Sequence, residues 1–325
     1  MASAVPFQNV TPTALAASDD ENSGARQFAQ QVSEEEIYEE SRSHFVPYFT
    51  YPPTRPLVFV KWGDRGDVDR QAEADMQRRA WDWVRREREA RRCSQGIHIP
   101  EVYKSFTWHE RDFIIMELVD ATLLSKSVFA RPMDSLHRVG ECYNLIAEAI
   151  QLLRRMPVPQ DATPGPYTQD VTLRRIQHPI FKDQKAVIAY RNIDELELHI
   201  NRVIQKTVRR GHPRDGPLVH LERELIFCYC DLNDENFMFT KDDKGQLRLY
   251  LIDFEQASFL PASFLAYAIL RYKQWWTAPR IAERIVDTLP KDNLDALELA
   301  QYAFRTFWWG VGLKKKDGGG WHLAP

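Results

Sequence analysis

The chain has 325 residues, more than one average domain, so two lobes or domains are expected. Its apolar share of 44% and charged share of 27% are ordinary for a globular protein, and a formal net charge of −3 gives no argument for a nucleic-acid or membrane partner. No apolar run reaches the ~18 residues a spanning helix needs, and the N-terminus lacks a basic segment followed by an apolar one. The four cysteines (Cys93, Cys142, Cys228, Cys230) form no CxxC pair, which speaks for free thiols in a reducing compartment. A soluble cytoplasmic protein is expected.

Residues 1–41 read as a disordered acidic tail. Eight acids between Asp19 and Glu40 face Arg26 alone, and few apolar residues offset the ordering entropy, although a short helix near Ile37 and Tyr38 could dock. Residues 42–120 read as a small strand-rich lobe. In it "PLVFVKWG" is a strand closed by Gly63 and Gly66, and 68–92 is a helix with Ala72, Met76, Ala80 and Val84 on one stripe. "IPEVYKSF" and "DFIIMELV" are two further strands.

From 121 to 313 helices dominate. Asp134 and Ser135 offer N-caps for a helix with Leu136, Val139, Tyr143, Ile146, Ile150 and Leu153 on its core stripe, stopped by Pro157 and Pro159. The stretch 165–183 lacks periodicity and reads as an irregular connection. Asn192 and Glu195 have the spacing of a capping box ahead of Leu196, Ile200 and Val203. Further helices are expected from near Pro261, Pro279 and Asp292, the last with Leu294, Leu297, Gln301, Phe304 and Trp308 on one face. Residues 314–325 are expected to fray, and no internal repeat occurs.

Two strand-like runs in this part each carry an acid where the chain should enter the core: "YCDLNDENFMF" (229–239) and "LYLIDFE" (249–255). "KDDKG" between them has the composition of a turn, and Leu247, Leu249 and Leu251 alternate with polar neighbours, as in a hairpin. Such a hairpin returns Asp253 toward Asn236 and Asp231. Two acids and a carboxamide at one end would supply oxygen ligands for Mg²⁺ together with substrate phosphates. A lone Asp or Asn would more simply form an Asx-turn, but the combined spacing favours a site.

Through these two motifs the chain resembles the aminoglycoside phosphotransferase and choline kinase branch of the protein-kinase-like fold. Fungal phosphotransferase-domain proteins look most similar. The resemblance covers about 55–310 and implies an α+β, two-lobed fold with a strand-rich N-lobe and a larger helical C-lobe. It implies Asp231 as the catalytic residue toward the acceptor hydroxyl, and Asn236 and Asp253 as Mg²⁺ ligands. In the N-lobe, Lys61 matches the strand lysine that contacts nucleotide phosphates, and Glu73 matches the helix glutamate that pairs with it. Glu117 to Val119 match the segment whose backbone would receive the adenine of ATP. Glu255 matches a position near the metal site.

The chain departs from the family pattern in places. Tyr229 stands where a His usually precedes the catalytic Asp by two, and no glycine occurs in 41–59, where a phosphate-covering loop is expected. Asn233 replaces the lysine of protein kinases, and only "FEQASFL" separates Asp253 from the next helix. A small-molecule hydroxyl acceptor is therefore expected rather than a protein. The alternatives are an inactive kinase-like scaffold, or a choline/ethanolamine-type kinase with walls from Trp275, Trp276, Trp308 and Trp309. The arginine-dense 78–92 reads as a solvated helix face with i,i+4 pairs rather than a nucleic-acid patch. The Arg-Gly-Asp triplet at 65–67 reads as coincidence.

Overall fold

A computed structural model describes residues 19–65, 69–125, 136–208, 216–307, 310–316 and 319–323. Asp134, Ser135, Trp308, Trp309, and Gly66 and Asp67 of the Arg-Gly-Asp triplet lie outside these residues.

The acidic segment read as a disordered tail forms two helices from residue 19 onward, α1 (Asp19–Gln31) and α2 (Glu34–Ser41). Ser33 opens α2 with a capping box, its hydroxyl accepting from Glu36 N at 3.1 Å while the Glu36 carboxylate takes Ser33 N at 3.2 Å. Small apolar residues decide the packing. Ala25, Ala29, Val32 and Ile37 are buried against one face of a four-stranded antiparallel sheet, whose side chains there are Phe49, Val58, Val60, Phe106, Phe113 and Ile115.

That sheet consists of β1 (Tyr48–Tyr51) and β2 (Val58–Asp64), then, beyond α3 (Arg70–Glu89) and the short β3 (Ile97–His98), β4 (Val102–Trp108) and β5 (Arg111–Glu117), in the order β1-β2-β5-β4. α3 lies on the opposite face, against Ile114, Met116 and Val102 through Ala74. Its outer face carries the expected i,i+4 pairs, Arg85 with Glu89 at 2.8 Å and Arg86 with Asp82 at 2.7 Å.

A second sheet belongs to the larger lobe. β6 (Thr122–Leu123) is followed by α4 (Leu136–Arg154), an irregular stretch and α5 (Ile193–Val208), then β7 (Leu225–Tyr229), β8 (Phe237–Lys241), β9 (Leu247–Leu251) and β10 (Ala257–Pro261). β3, β9, β8 and β6 form one sheet, and β10 pairs with β7 in another. Helices α6 (Ala262–Leu270), α7 (Ala278–Ile285) and α8 (Leu294–Thr306) complete the helical lobe. Its core joins Ile146, Ile150 and Leu153 of α4 to Leu196, Ile200 and Val203 of α5 and Leu297 and Phe304 of α8. The fold is the α+β, two-lobed arrangement expected, although the boundary is not clean. β3 leaves the small lobe to pair with β9, and it does so past Gly96, where a Cβ would stand 2.4 Å from the Leu247 carbonyl. The C-terminal stretch expected to fray instead pairs β11 (Lys314–Lys315) with β12 (Trp321–His322), turned by Gly319 and Gly320 at positive φ. Among the described residues no helix is long and apolar enough to cross a membrane.

Candidate active site

Both lobes contribute to one cluster of charge. Strand β2 presents Lys61 and helix α3 presents Glu73, and Lys61 Nζ donates to Glu73 Oε1 at 2.7 Å. The same ammonium pairs with Asp253 Oδ1 at 2.9 Å. Glu73 is only 2% exposed, so its charge needs partners on both oxygens. The second partner is Arg70, whose Nη1 donates to Glu73 Oε2 at 2.5 Å and to Glu255 Oε2 at 3.0 Å. Carboxylate oxygens of Glu73, Asp253 and Glu255 lie within 4.8 Å of one another, with two cations among them.

The hairpin supplies the rest. β8 and β9 pair in the register Phe237 with Leu251, and Ile252 N donates to the Asn236 carbonyl at 3.1 Å, so Asn236 ends up one residue from Asp253. Asn236 is buried, and its amide nitrogen donates to the Asp231 carbonyl at 3.2 Å, leaving Oδ1 for other use. Asp231 Oδ1 accepts from Asn233 N at 3.3 Å. Asp253 adopts φ +60°, a left-handed conformation that costs a residue with a Cβ roughly 1 kcal/mol. The turn directs its carboxylate back toward Lys61.

The two acids are driven apart electrostatically. Burial disfavours the charge on Asp253, but Lys61 and Arg70 outweigh it and hold the carboxyl below the usual range. Burial, and next the negative charge of Asp253, push Asp231 up to about 7. Lys61 loses solvation, yet Asp253 and Glu73 more than restore its charge and its pKa is raised. The charged forms of Lys61 and Asp253 thus favour each other, while Asp231, of the same site, is biased toward keeping its proton.

Tyr229 is buried and its hydroxyl donates to the Ile252 carbonyl, while its ring packs on Phe254 at 5.2 Å. It joins the strand before Asp231 to the turn that carries Asp253, and burial raises its phenol well above the ordinary value. In the segment between the lobes, Glu117 N donates to the Glu101 carbonyl at 2.9 Å. Val119 is half-buried in the irregular link between β5 and β6, where its backbone N–H and C=O meet no partner among the described residues. The chain enters β1 directly from α2, so no glycine-bearing strand–turn–strand precedes β2 among the described residues.

Three features left no clear signal in the sequence. Arg70 shares the inner stripe of α3 with Glu73, a spacing visible in "RQAE", but its carboxylate partner Glu255 is far away in the chain. Buried Thr277 donates its hydroxyl to the Leu232 carbonyl, fixing the 272–277 turn to the Asp231 loop. Gln256 Nε2 donates to Gln184 Oε1 at 2.7 Å, so the irregular 165–183 stretch continues into a contact with the Asp253 turn.

The model of the phosphotransferase enzyme family matches residues 58–298, and the chain belongs to that family. The matched span includes Lys61, Glu73, Asp231, Asn236 and Asp253. Among solved structures the chain is similar to a protein provisionally named fructosamine-3-kinase from Haemophilus somnus 129PT, at 16% identity over 76% of this chain and 74% of that one, with TM-score 0.37. It is also similar to the GDP and kanamycin complex of APH(2")-IIia, at 12% identity, 80% and 82% coverage and TM-score 0.39. A third is the GDP complex of wild-type aminoglycoside 2'-phosphotransferase-IIIa, at 12% identity, 89% coverage of both chains and TM-score 0.39. Likenesses this weak add nothing about activity or ligand. No curated protein sequence matches the chain.

Proposed function

We propose that the protein transfers the γ-phosphoryl group of ATP, with Mg²⁺, to a hydroxyl of a small molecule. The observation that carries this is Lys61 of the small lobe held between Glu73 and Asp253, beside Asn236 and Asp231 of the large one. Asn236 Oδ1 and the Asp253 carboxylate are the hard oxygen donors magnesium takes, so the residues fit the ion. Bound there, Mg²⁺ would offset charge on the phosphates.

The chain's own residues account for the remainder. Lys61 binds phosphate oxygens and Glu73 orients it. The backbone at Glu117 and Val119 receives the nucleobase. Asp231 orients the acceptor hydroxyl and takes its proton as the oxygen attacks, a task suited to a carboxyl pushed up to about 7. β10 begins at Ala257 and pairs at once with Tyr229 on β7, which leaves no segment after Asp253 on which a peptide could dock. This supports a small acceptor.

Two observations favour other readings. The direct entry from α2 into β1, without glycine, favours a kinase-like binding protein that has lost nucleotide. Trp276, 86% exposed and next to the Thr277 anchor, favours a cationic acceptor of choline or ethanolamine type. The test is incubation with γ-labelled ATP, Mg²⁺ and panels of amino alcohols, sugars and aminoglycosides. Label transferred to one class by the wild type and not by Asp231→Ala supports the proposal and names the acceptor. A folded protein that binds no Mg-ATP and labels nothing supports the binding-protein reading.

A further inference from the structure

We propose that Arg70 is a positioning residue. By holding Glu73 and Glu255 together, it fixes α3 against the Asp253 turn and keeps the Lys61–Glu73 pair assembled before any nucleotide arrives. What is positioned rests on the nucleotide-site reading above; the side-chain arrangement does not.

Arg70 is the first residue of α3 and only 4% exposed. A guanidinium at that depth persists only where it is paired, and removing one partner leaves a buried charge uncompensated. Its two carboxylate partners come from different lobes, Glu73 three residues along the same helix and Glu255 at a separation of 185 residues. Lys61 takes one oxygen of Glu73 and Arg70 the other, so the carboxylate is held from both sides. Swinging α3 away from the Asp253 turn would break the Arg70–Glu255 pair.

One residue earlier there is a second tie. Asp69, 2% exposed, occupies the N-cap position of α3 but makes no side-chain bond to the helix amides. Its carboxylate faces Lys185 at 3.3 Å and Arg175 at 3.7 Å instead, both from the large lobe. A good capping residue that forgoes its cap for distant cations is serving the junction between lobes. Gln184, next to Lys185, accepts from Gln256 and so closes the circuit back to the Asp253 turn. The start of α3 is thus fastened at two successive residues to the large lobe, through Arg70 directly to the Asp253 turn and through Asp69 to the 175–185 segment that contacts it.

The experiment compares the full-length wild type with Arg70→Gln, Arg70→Lys, Glu255→Gln and the Arg70→Gln/Glu255→Gln double variant. Two quantities are read: hydrogen exchange of α3 amides without nucleotide, and the Kd for Mg-ATP by calorimetry. Each single Gln variant is expected to speed exchange in the first half of α3 and to weaken Mg-ATP by about tenfold or more, as misplaced binding groups do. The double variant is expected to be no weaker than either single one, and Arg70→Lys to recover part of the loss. Faster α3 exchange with an unchanged Kd would make Arg70 a purely structural residue and overturn the proposal. Should Arg70→Gln not fold, Glu255→Gln at its half-buried position carries the same test. Should the wild type bind no Mg-ATP, the nucleotide reading fails by itself; unchanged α3 exchange in Glu255→Gln would then overturn the role of Arg70 separately.

Discussion

Asp231 and Asp253 are carboxylates of one small site, yet one is held ionised by Lys61 and Arg70 while the other is pushed up to about 7. In the proposed reaction Asp253 holds charge and Asp231 handles a proton. Asp231→Asn is expected to lower transfer by about 10²–10⁴-fold while Mg-ATP still binds, as loss of a general base does. Steady-state rates set beside calorimetric affinities on one preparation check this, and near-normal transfer would remove Asp231 from the chemistry. Tyr229→Phe is expected to behave otherwise. It strips the half-buried Ile252 carbonyl of its donor and should cost about 1 kcal/mol in urea unfolding, with transfer largely retained. These residues were legible because a hairpin turns separation in sequence into proximity, and alternation in "LRLYLID" shows where it folds back. Arg70 was not, since its meaning depends on a Glu that no local pattern connects to it.

At the scale of elements, α1 is where composition misled, whereas the short helix expected near Ile37 and Tyr38 is present and docked as α2. Eight acids dominate 19–40, but the stripe Ala25, Phe28, Ala29 and Val32, followed by Ile37, is spaced for one helical face after another. Small residues make that stripe inconspicuous, and its worth comes from the apolar sheet face it covers, which propensity cannot show. Gln30 Nε2 donates to the Tyr103 carbonyl at 2.9 Å and Arg26 pairs with Glu101 at 2.6 Å, so the arm also makes polar contacts with β4 and the residue before it. Ile37→Ala is expected to cost about 2–4 kcal/mol, as truncation of a fully buried isoleucine usually does. Deleting 1–41 should expose Val58, Val60, Phe113 and Ile115 and sharply reduce soluble yield. Urea unfolding checks the first, and an unchanged midpoint would mean that the arm does not stay on the sheet.

Across the whole molecule, two buried histidines link the lobe's packing to pH. His178 donates through Nε2 to the Phe264 carbonyl at 3.1 Å and accepts from Ile180 N, and burial lowers it to about 3. His199 accepts from the Tyr190 hydroxyl at 2.7 Å and donates to the Val311 carbonyl, and burial lowers it to about 4. Both folded values lie below the ordinary 6.5, so the stability is whole above pH 6.5 and is lost as pH falls toward them. At pH 5 each should cost about 1–2 kcal/mol. Thermal unfolding at pH 7.5 and 5.0 should show a large drop in the wild type and a smaller one in His178→Gln or His199→Gln; equal drops would mean that these side chains are not neutral in the fold. The two-lobed plan itself was legible through the family resemblance that the two acid-bearing motifs carry, with strand and helix periodicity placing the individual elements. The crossing of β3 into the second sheet and the closing hairpin of β11 and β12 were not, because two-residue strands leave no periodic trace.

The central claim is a metal-dependent nucleotide site built on Asp253, and thermal unfolding of wild type and Asp253→Ala, with and without Mg²⁺-ATP, tests it most directly. A ligand at ~100 times its Kd adds ~2.7 kcal/mol, a rise of several degrees in the midpoint. Such a site requires that rise in the wild type, its dependence on Mg²⁺ and its loss in Asp253→Ala. An unmoved wild-type midpoint at millimolar Mg²⁺-ATP would contradict it.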